Sequence, residues 1–210
     1  MSAFDVVVAL AVGYLLGGIP SAALAARRRG QTIFTLGSGN MGAMNTARNL
    51  GVGWGVAVLL SDIGKGALAV LAGGAIAGAV GAGAGAELGL GLSAGVAAVF
   101  GHAWSPYVGF RGGKALATAF GAALVLTPWA GLAALTLVVA LVLLLRNVAL
   151  ATILTLLAYP LTTYLAVMRS AGDQDLAFAA TTAAAAAALV MLVKHATIWL
   201  AQRRGRSDPS

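Results

Sequence analysis

Three short stretches hold most of the side chains able to do chemistry. The first reads Gly37-Ser-Gly-Asn-Met-Gly-Ala-Met-Asn-Thr-Ala-Arg48. A glycine-rich turn feeding a helix start offers unpaired N–H groups to an anion, and Arg48 adds a guanidinium whose planar fork suits phosphate. Ser38 or Asn40 is expected to cap the short helix that follows. At about 100° per residue, Ala43, Thr46, Ala47 and Leu50 share one face, and Met41, Met44, Asn45 and Arg48 the other, as in an amphipathic helix lying on a membrane surface. Two readings carry equal weight. Either Gly37, Gly39, Asn40, Asn45 and Arg48 bind a phosphate, or a capped interfacial helix turns its arginine to lipid head groups.

The second stretch, Ser61-Asp-Ile-Gly-Lys-Gly66, puts Asp62 and Lys65 three apart on one helical face inside a long apolar segment. Charges at that depth face a helix bundle or a polar cavity. Asp62 is expected to pair with Lys65, and Lys65 to line a site. The third stretch is Gly101-His-Ala-Trp-Ser-Pro-Tyr-Val-Gly-Phe-Arg-Gly-Gly-Lys114. There Arg111, Gly112, Gly113 and Lys114 set two cations beside a flexible backbone ahead of another helix start, which implies a second anion site. His102 has the ordinary pKa for a general base on a hydroxyl, although a lone histidine is more often structural. Trp104 and Tyr107 read as membrane-interface anchors and Ser105 as a turn residue. Asp62 is the one acid expected within the spans, too few carboxylates for a metal site, so metal-independent chemistry is expected and no cofactor.

The elements that must position these residues are set by lipid. Of 210 residues, 60% are hydrophobic and 9% charged, with no cysteine and a mean hydropathy of +0.93. A soluble domain carries about 25% charged residues, so most of this surface faces a bilayer. Absent cysteine excludes disulfides and a thioester carried on this chain. The net charge of +7 reads as membrane orientation rather than nucleic-acid binding. Apolar segments run over residues 4–26, 52–80, 88–101, 115–145, 148–168 and 176–193. The first is followed, not preceded, by Arg27, Arg28 and Arg29, so it reads as a retained helix rather than a secretory signal.

Residues 115–145 exceed one comfortable span, and Thr127-Pro128 could divide them. With that division, twelve of the thirteen Lys and Arg fall on the cytoplasmic side, leaving Arg169 outside; without it the split is eight to five. The expected fold is therefore an all-α polytopic membrane protein of seven transmembrane helices. Its N-terminus is outside, its C-terminus is cytoplasmic, and an interfacial helix follows helix 1. Residues 1–210 form a single integral membrane domain, with 200–210 as a disordered cytoplasmic tail. The many glycines and alanines suit close helix packing in lipid.

On these three motifs, the chain resembles the bacterial acyl-phosphate-dependent glycerol-3-phosphate acyltransferases over nearly its whole length. The signatures are approximately G-S-G-N-x-G-A-x-N-x-x-R, D-x-x-K-G and G-H-x-x-(S)-P-x-x-x-x-F-(K/R)-G-G-K. The resemblance implies transfer of a fatty acyl group from acyl phosphate to the 1-hydroxyl of glycerol 3-phosphate, giving lysophosphatidic acid and phosphate, in the bacterial plasma membrane. It implies catalytic roles for Ser38, His102 and Lys114. Substrate or phosphate binding falls to Gly37, Gly39, Asn40, Asn45, Arg48, Lys65, Arg111, Gly112, Gly113 and Thr197. The partners implied are the lipid bilayer and the two substrates, with no nucleic acid and no obligate protein partner. The proton can leave through His102 or through a substrate phosphate oxygen.

Departures from the family pattern are Met41 for Pro, Met44 for Thr, Ala115 for Gly and Ala149 for Ser. At the C-terminal H-x-x-N-I pattern, Lys194 stands for His and Thr197 for Asn, with His195 one position away. They leave as one alternative a weakened paralogue that binds phospholipid or phosphorylated glycerol; the Asp62 and Lys65 charges within a span leave another, a small transporter. The lack of an internal repeat weakens the latter.

Overall fold

The computed structural model describes residues 2–204, with side chains described for residues 2–200. These residues form nine α-helices: α1 (Ala3–Gly18), α2 (Ser21–Arg28), α3 (Ala43–Leu50), α4 (Val52–Ala79), α5 (Ala84–Ala103), α6 (Leu116–Leu126), α7 (Pro128–Leu145), α8 (Val148–Ala171) and α9 (Gln174–Arg204). Six segments are long and apolar enough to cross a bilayer: Ala3–Arg28, Val52–Ala79, Ala84–Ala103, Pro128–Leu145, Val148–Ala171 and Gln174–Leu200. Large apolar side chains such as Phe4, Leu60, Leu144 and Leu161 point outward, as a lipid solvent requires.

The first span is not one helix. Pro20 has no N–H to continue the ladder, and the chain breaks between α1 and α2. The carbonyls left at the break find side-chain donors from elsewhere in the fold. Ser105 Oγ donates to the Gly18 carbonyl at 2.6 Å, and Lys65 Nζ to that of Ile19 at 2.9 Å. Ser2 caps α1, accepting from the Asp5 N–H at 3.2 Å while the Asp5 carboxylate accepts from the Ser2 N–H at 2.7 Å.

The division at Thr127-Pro128 is present, with Pro128 opening α7. Its first half, α6, has 11 residues and rises about 16 Å, roughly half the hydrocarbon thickness. The reason is local: the twelve residues before α6 are spent on an extended loop that folds back over the end of α5. At the far end, α9 stays helical through Arg204, so the first residues expected in a disordered tail are helical; 205–210 lie outside the described residues.

Glycine lets the inner helices meet backbone to backbone. A Cβ on Gly13 or Gly17 of α1 would collide with the backbone of Ala94 or Ala98 of α5, and one on Gly101 with the Tyr14 carbonyl. The same holds at Gly66 of α4 against Thr118 of α6, and at Gly121 of α6 against Ile63 of α4. These crossings fix α5 between α1 and α4 and set α6 against α4. The helices α7, α8 and α9 pack in sequence outside them, and α9 returns to α5.

Gly17→Ala is expected to cost about 1–3 kcal/mol, since the intruding methyl meets backbone that cannot move aside. Gly74→Ala, where nothing lies within 4 Å, should hold or raise stability. Thermal midpoints of the two variants in one detergent check this. Equal losses would show that the α1–α5 crossing is not the tight contact.

Candidate active site

The three motifs meet at the end of α5. Asp62 and Lys65 lie on the buried face of α4, each side chain 4% exposed, with Nζ and Oδ1 2.8 Å apart. The same Oδ1 accepts from Ser21 Oγ of α2 at 3.1 Å and lies 3.6 Å from His102 Nδ1 of α5. Thr118 Oγ1, from the first turn of α6, is 3.1 Å from that nitrogen. Ser21 Oγ is also 2.9 Å from Ser61 Oγ. One carboxylate thus joins α2, α4 and α5, and Thr118 adds α6. The expected pairing of Asp62 with Lys65 is present. Lys65 is buried, and its ammonium is engaged by Asp62 and the Ile19 carbonyl, so it braces the α1–α2 break.

The third motif folds back onto α5. Ser105 N–H donates to the Arg111 carbonyl at 3.2 Å, Phe110 N–H to the Ser105 carbonyl at 2.8 Å, and Gly113 N–H to the His102 carbonyl at 3.1 Å. Gly112 and Gly113 are needed for this approach. A Cβ on Gly112 would strike the carbonyls of His102 and Ala103, and one on Gly113 would strike His102 Nε2 and the Met41 carbonyl. Gly113 is therefore where the first motif touches the third. A second link stacks the Arg111 guanidinium on the Phe34 ring, 3.8 Å from its centroid. Ala115, the departure from glycine, has φ +61°, so a residue with a side chain holds the left-handed turn into α6.

The first motif is held by Asn45. Its Oδ1 accepts from the Ser38 N–H at 3.1 Å, and its Nδ2 donates to the carbonyls of Leu36 and Asn40, both at 3.0 Å. The turn itself needs Gly37 and Gly39, at φ +51° and +65°. Two expectations change. Neither Ser38 nor Asn40 caps α3, whose N-cap is Gly42 with no side-chain bond, so the first turn keeps its free N–H groups. Asn45 and Met41 are buried rather than sharing an open face with Arg48, because the Gly37 turn wraps over that side of the helix. Met44, Arg48 and Ser38 remain exposed, while Ala47 packs on Gly55 of α4. Asn40 Oδ1 is buried without a partner.

Lys114, half-buried, lies within electrostatic reach of His195 on α9, and burial pushes its ammonium below the ordinary lysine range. The α9 residues Lys194 and His195 are buried at this same end. Sequence reading treated them as departures only; the signal for them was two ionisable residues in an otherwise apolar helix. Thr197 is exposed, and its hydroxyl donates to the Lys194 carbonyl on its own helix at 3.1 Å. Ala149 is exposed at the start of α8.

Residues 7–200 match the family model described as glycerol-3-phosphate acyltransferase. The chain belongs to this family. A glycerol-3-phosphate acyltransferase of Dehalococcoides mccartyi is 43% identical over 157 residues, 72% of each chain. One from Desulforudis audaxviator is 41% identical over 162 residues, 77% of each. Among solved structures, crystal structures of PlsY, an integral membrane glycerol 3-phosphate acyltransferase, match in a glycerol 3-phosphate form and a lysophosphatidic acid form. Their TM-scores are 0.72 and 0.71, with 27% and 26% identity, and each match covers 97% of this chain and 94% of PlsY.

Two outcomes are expected of an acyltransferase site built this way. Arg48→Ala and Lys114→Ala each remove a cation from one of the glycine loops, so acyl transfer should fall at least about tenfold while membrane insertion is unchanged, the scale of one lost charge-assisted hydrogen bond. Since the Lys114 pKa is lowered, its positive charge is lost at a lower pH than that of a free lysine. KM for a phosphorylated substrate should therefore rise on the alkaline side, and Lys114→Arg should move that limb to higher pH. Rates and KM across pH in reconstituted protein check both; wild-type rates in the alanine variants would remove these residues from the site.

Proposed function

We propose that the protein transfers a fatty acyl group from acyl phosphate to the 1-hydroxyl of glycerol 3-phosphate, releasing lysophosphatidic acid and inorganic phosphate. The observation that carries this reading is the meeting of two cation-bearing glycine loops, one with Arg48 and one with Arg111 and Lys114, where Gly113 comes against the Met41 carbonyl. Two phosphorylated substrates require two adjacent anion sites. An acyl phosphate is already activated, so no enzyme nucleophile is needed. The acyl chain enters sideways from lipid, and the polar groups enter from the aqueous end.

In this reading the glycerol 3-phosphate oxygen attacks the acyl carbonyl carbon, the carbon–oxygen bond to phosphate breaks, and the phosphate leaves with the bonding electrons. Arg111 and Lys114 offset the negative charge that develops as the carbonyl is attacked. Arg48 and the free N–H groups of the first α3 turn hold a phosphate, the Ser38 hydroxyl orients substrate, and the unpartnered Asn40 Oδ1 accepts from a glycerol hydroxyl. His102 is 3% exposed, with Nδ1 held by Thr118 and Nε2 facing the Gly113–Met41 contact. That burial favours a positioning role for His102 and passage of the hydroxyl proton to a substrate phosphate oxygen. The twelve-to-one distribution of basic residues supports a cytoplasmic site in the bacterial plasma membrane, with the N-terminus outside.

The purified chain in liposomes, given palmitoyl phosphate and glycerol 3-phosphate, is expected to form lysophosphatidic acid, and with palmitoyl-CoA in place of the phosphate to form none. Product from palmitoyl-CoA at a comparable rate would refute the donor. Failure of a folded sample to make product from either donor would refute the activity.

A further inference from the structure

A groove runs between α2 and α4, and none of its lining residues belongs to either glycine loop. Ser21 and Ser61 close one end, their hydroxyl oxygens 2.9 Å apart. Ala25 and Ala26 pack with Val58 and Leu50, so the two helices run antiparallel. Arg28 and Trp54 therefore stand together at the other end, about 10 Å along each helix from the serine pair. Leu24, Ala57 and Val58 wall the space between them, which holds about 230 Å³. One water needs about 15 Å³ of such space, so a run of methylene groups fits. A second helix, about 10 Å across, does not.

The two ends differ in chemistry. Half-buried Trp54 has the amphipathic ring that sits at the level of lipid head groups. Arg28 is exposed beside it, between Arg27 and Arg29 at the end of α2. The ion pairs among the described residues both use Asp62, so no carboxylate there neutralises this cluster. At the inner end the serine hydroxyls bond each other and Ser21 reaches Asp62, so they demand no polar partner from an occupant. Whatever fills the groove must set a negative charge at head-group level and an apolar chain below it. A water-soluble anion lacks the chain, and a zwitterionic lipid brings its own ammonium against three guanidinium groups.

We propose that the α2–α4 groove is a binding site for one anionic phospholipid of the surrounding bilayer, its phosphate on Arg28 and one acyl chain between Leu24 and Val58. The site is independent of the acyl-transfer reading. Its consequence is mechanical. A chain seated there fills the seam beside the α1–α2 break and supports the Ser21 hydroxyl that reaches Asp62. Bound lipid thus stabilises the fold from outside the glycine loops.

The test places the full chain in nanodiscs of phosphatidylcholine with rising fractions of phosphatidylglycerol. Lipid retained on the protein is counted by native mass spectrometry, and the thermal midpoint is followed alongside. Wild type should retain phosphatidylglycerol in preference to phosphatidylcholine and gain midpoint with it. Arg28→Gln should cut that preference about fivefold, the scale of one basic residue at an anionic lipid surface, while Arg28→Lys keeps it within about twofold. Ala57→Phe, whose ring enters the groove from an exposed position, should abolish both the retention and the rise although every arginine remains. Arg169→Gln, in the last turn of α8, should change neither. Saturating glycerol 3-phosphate should displace none of the lipid, because the groove shares no residue with the glycine loops. The proposal is overturned by a wild-type preference in Arg28→Gln or by an equal loss in Arg169→Gln. An undiminished rise in Ala57→Phe would also overturn it, since only attraction to head groups would remain. Inorganic phosphate alone reproducing the rise would remove the chain from the account, and displacement by glycerol 3-phosphate would return the lipid to the substrate site; either result refutes the groove.

Discussion

The Asp62 carboxylate, buried about a dozen residues into α4, governs the rest of the structure. An ion at that depth costs several kcal/mol to desolvate unless its lone pairs are filled, and removing one member of a buried pair costs about 3–5 kcal/mol. Ser21, Lys65 and His102 surround it, and each belongs to a different helix or motif. Lys65 then carries the constraint onward to the Ile19 carbonyl, so the break that Pro20 forces in the first span is fixed to the same charge pair. The polar groups of the site are therefore mutually dependent, and their number is small because lipid offers no alternative partner.

Glycine supplies the second condition. Charges can share one carboxylate only if their helices come close, and the crossings at Gly13, Gly17, Gly66, Gly101 and Gly121 bring backbones into contact. The glycines of the loops act in the same way. Gly112 and Gly113 were expected to cradle phosphate, yet their immediate neighbours are carbonyls of α5 and the first motif. They let the loop close onto those carbonyls, with Arg111 and Lys114 on either side of them.

Much of this was legible in sequence because it follows from short-range rules. The division at Thr127-Pro128 comes from proline chemistry, and the Asp62–Lys65 pair from helical spacing in an apolar segment. The gathering of the three stretches at one end follows from the alternation of spans. What sequence left hidden depends on approach distances. Asn45 was placed on an open face by counting turns, but the Gly37 turn closes over it, and its amide binds backbone groups up to nine residues away. Nothing in sequence shows that Lys65 Nζ reaches the Ile19 carbonyl at 2.9 Å, on the far side of the Pro20 break. The short α6, by contrast, was legible, since a run over 115–145 divided at Thr127-Pro128 leaves a first half well short of a full span.

The account depends on one carboxylate holding the α2, α4 and α5 groups in a single working arrangement. Its most direct test is the rate of acyl transfer by Asp62→Asn in liposomes, measured on protein confirmed as inserted and folded. The asparagine keeps the shape but leaves Lys65 without a counter-charge and removes the carboxylate beside His102. The account predicts a fall of about a hundredfold or more, the scale of a broken buried charge-assisted bond. Transfer at the wild-type rate would contradict it, since the three motifs would then work without the group that joins them.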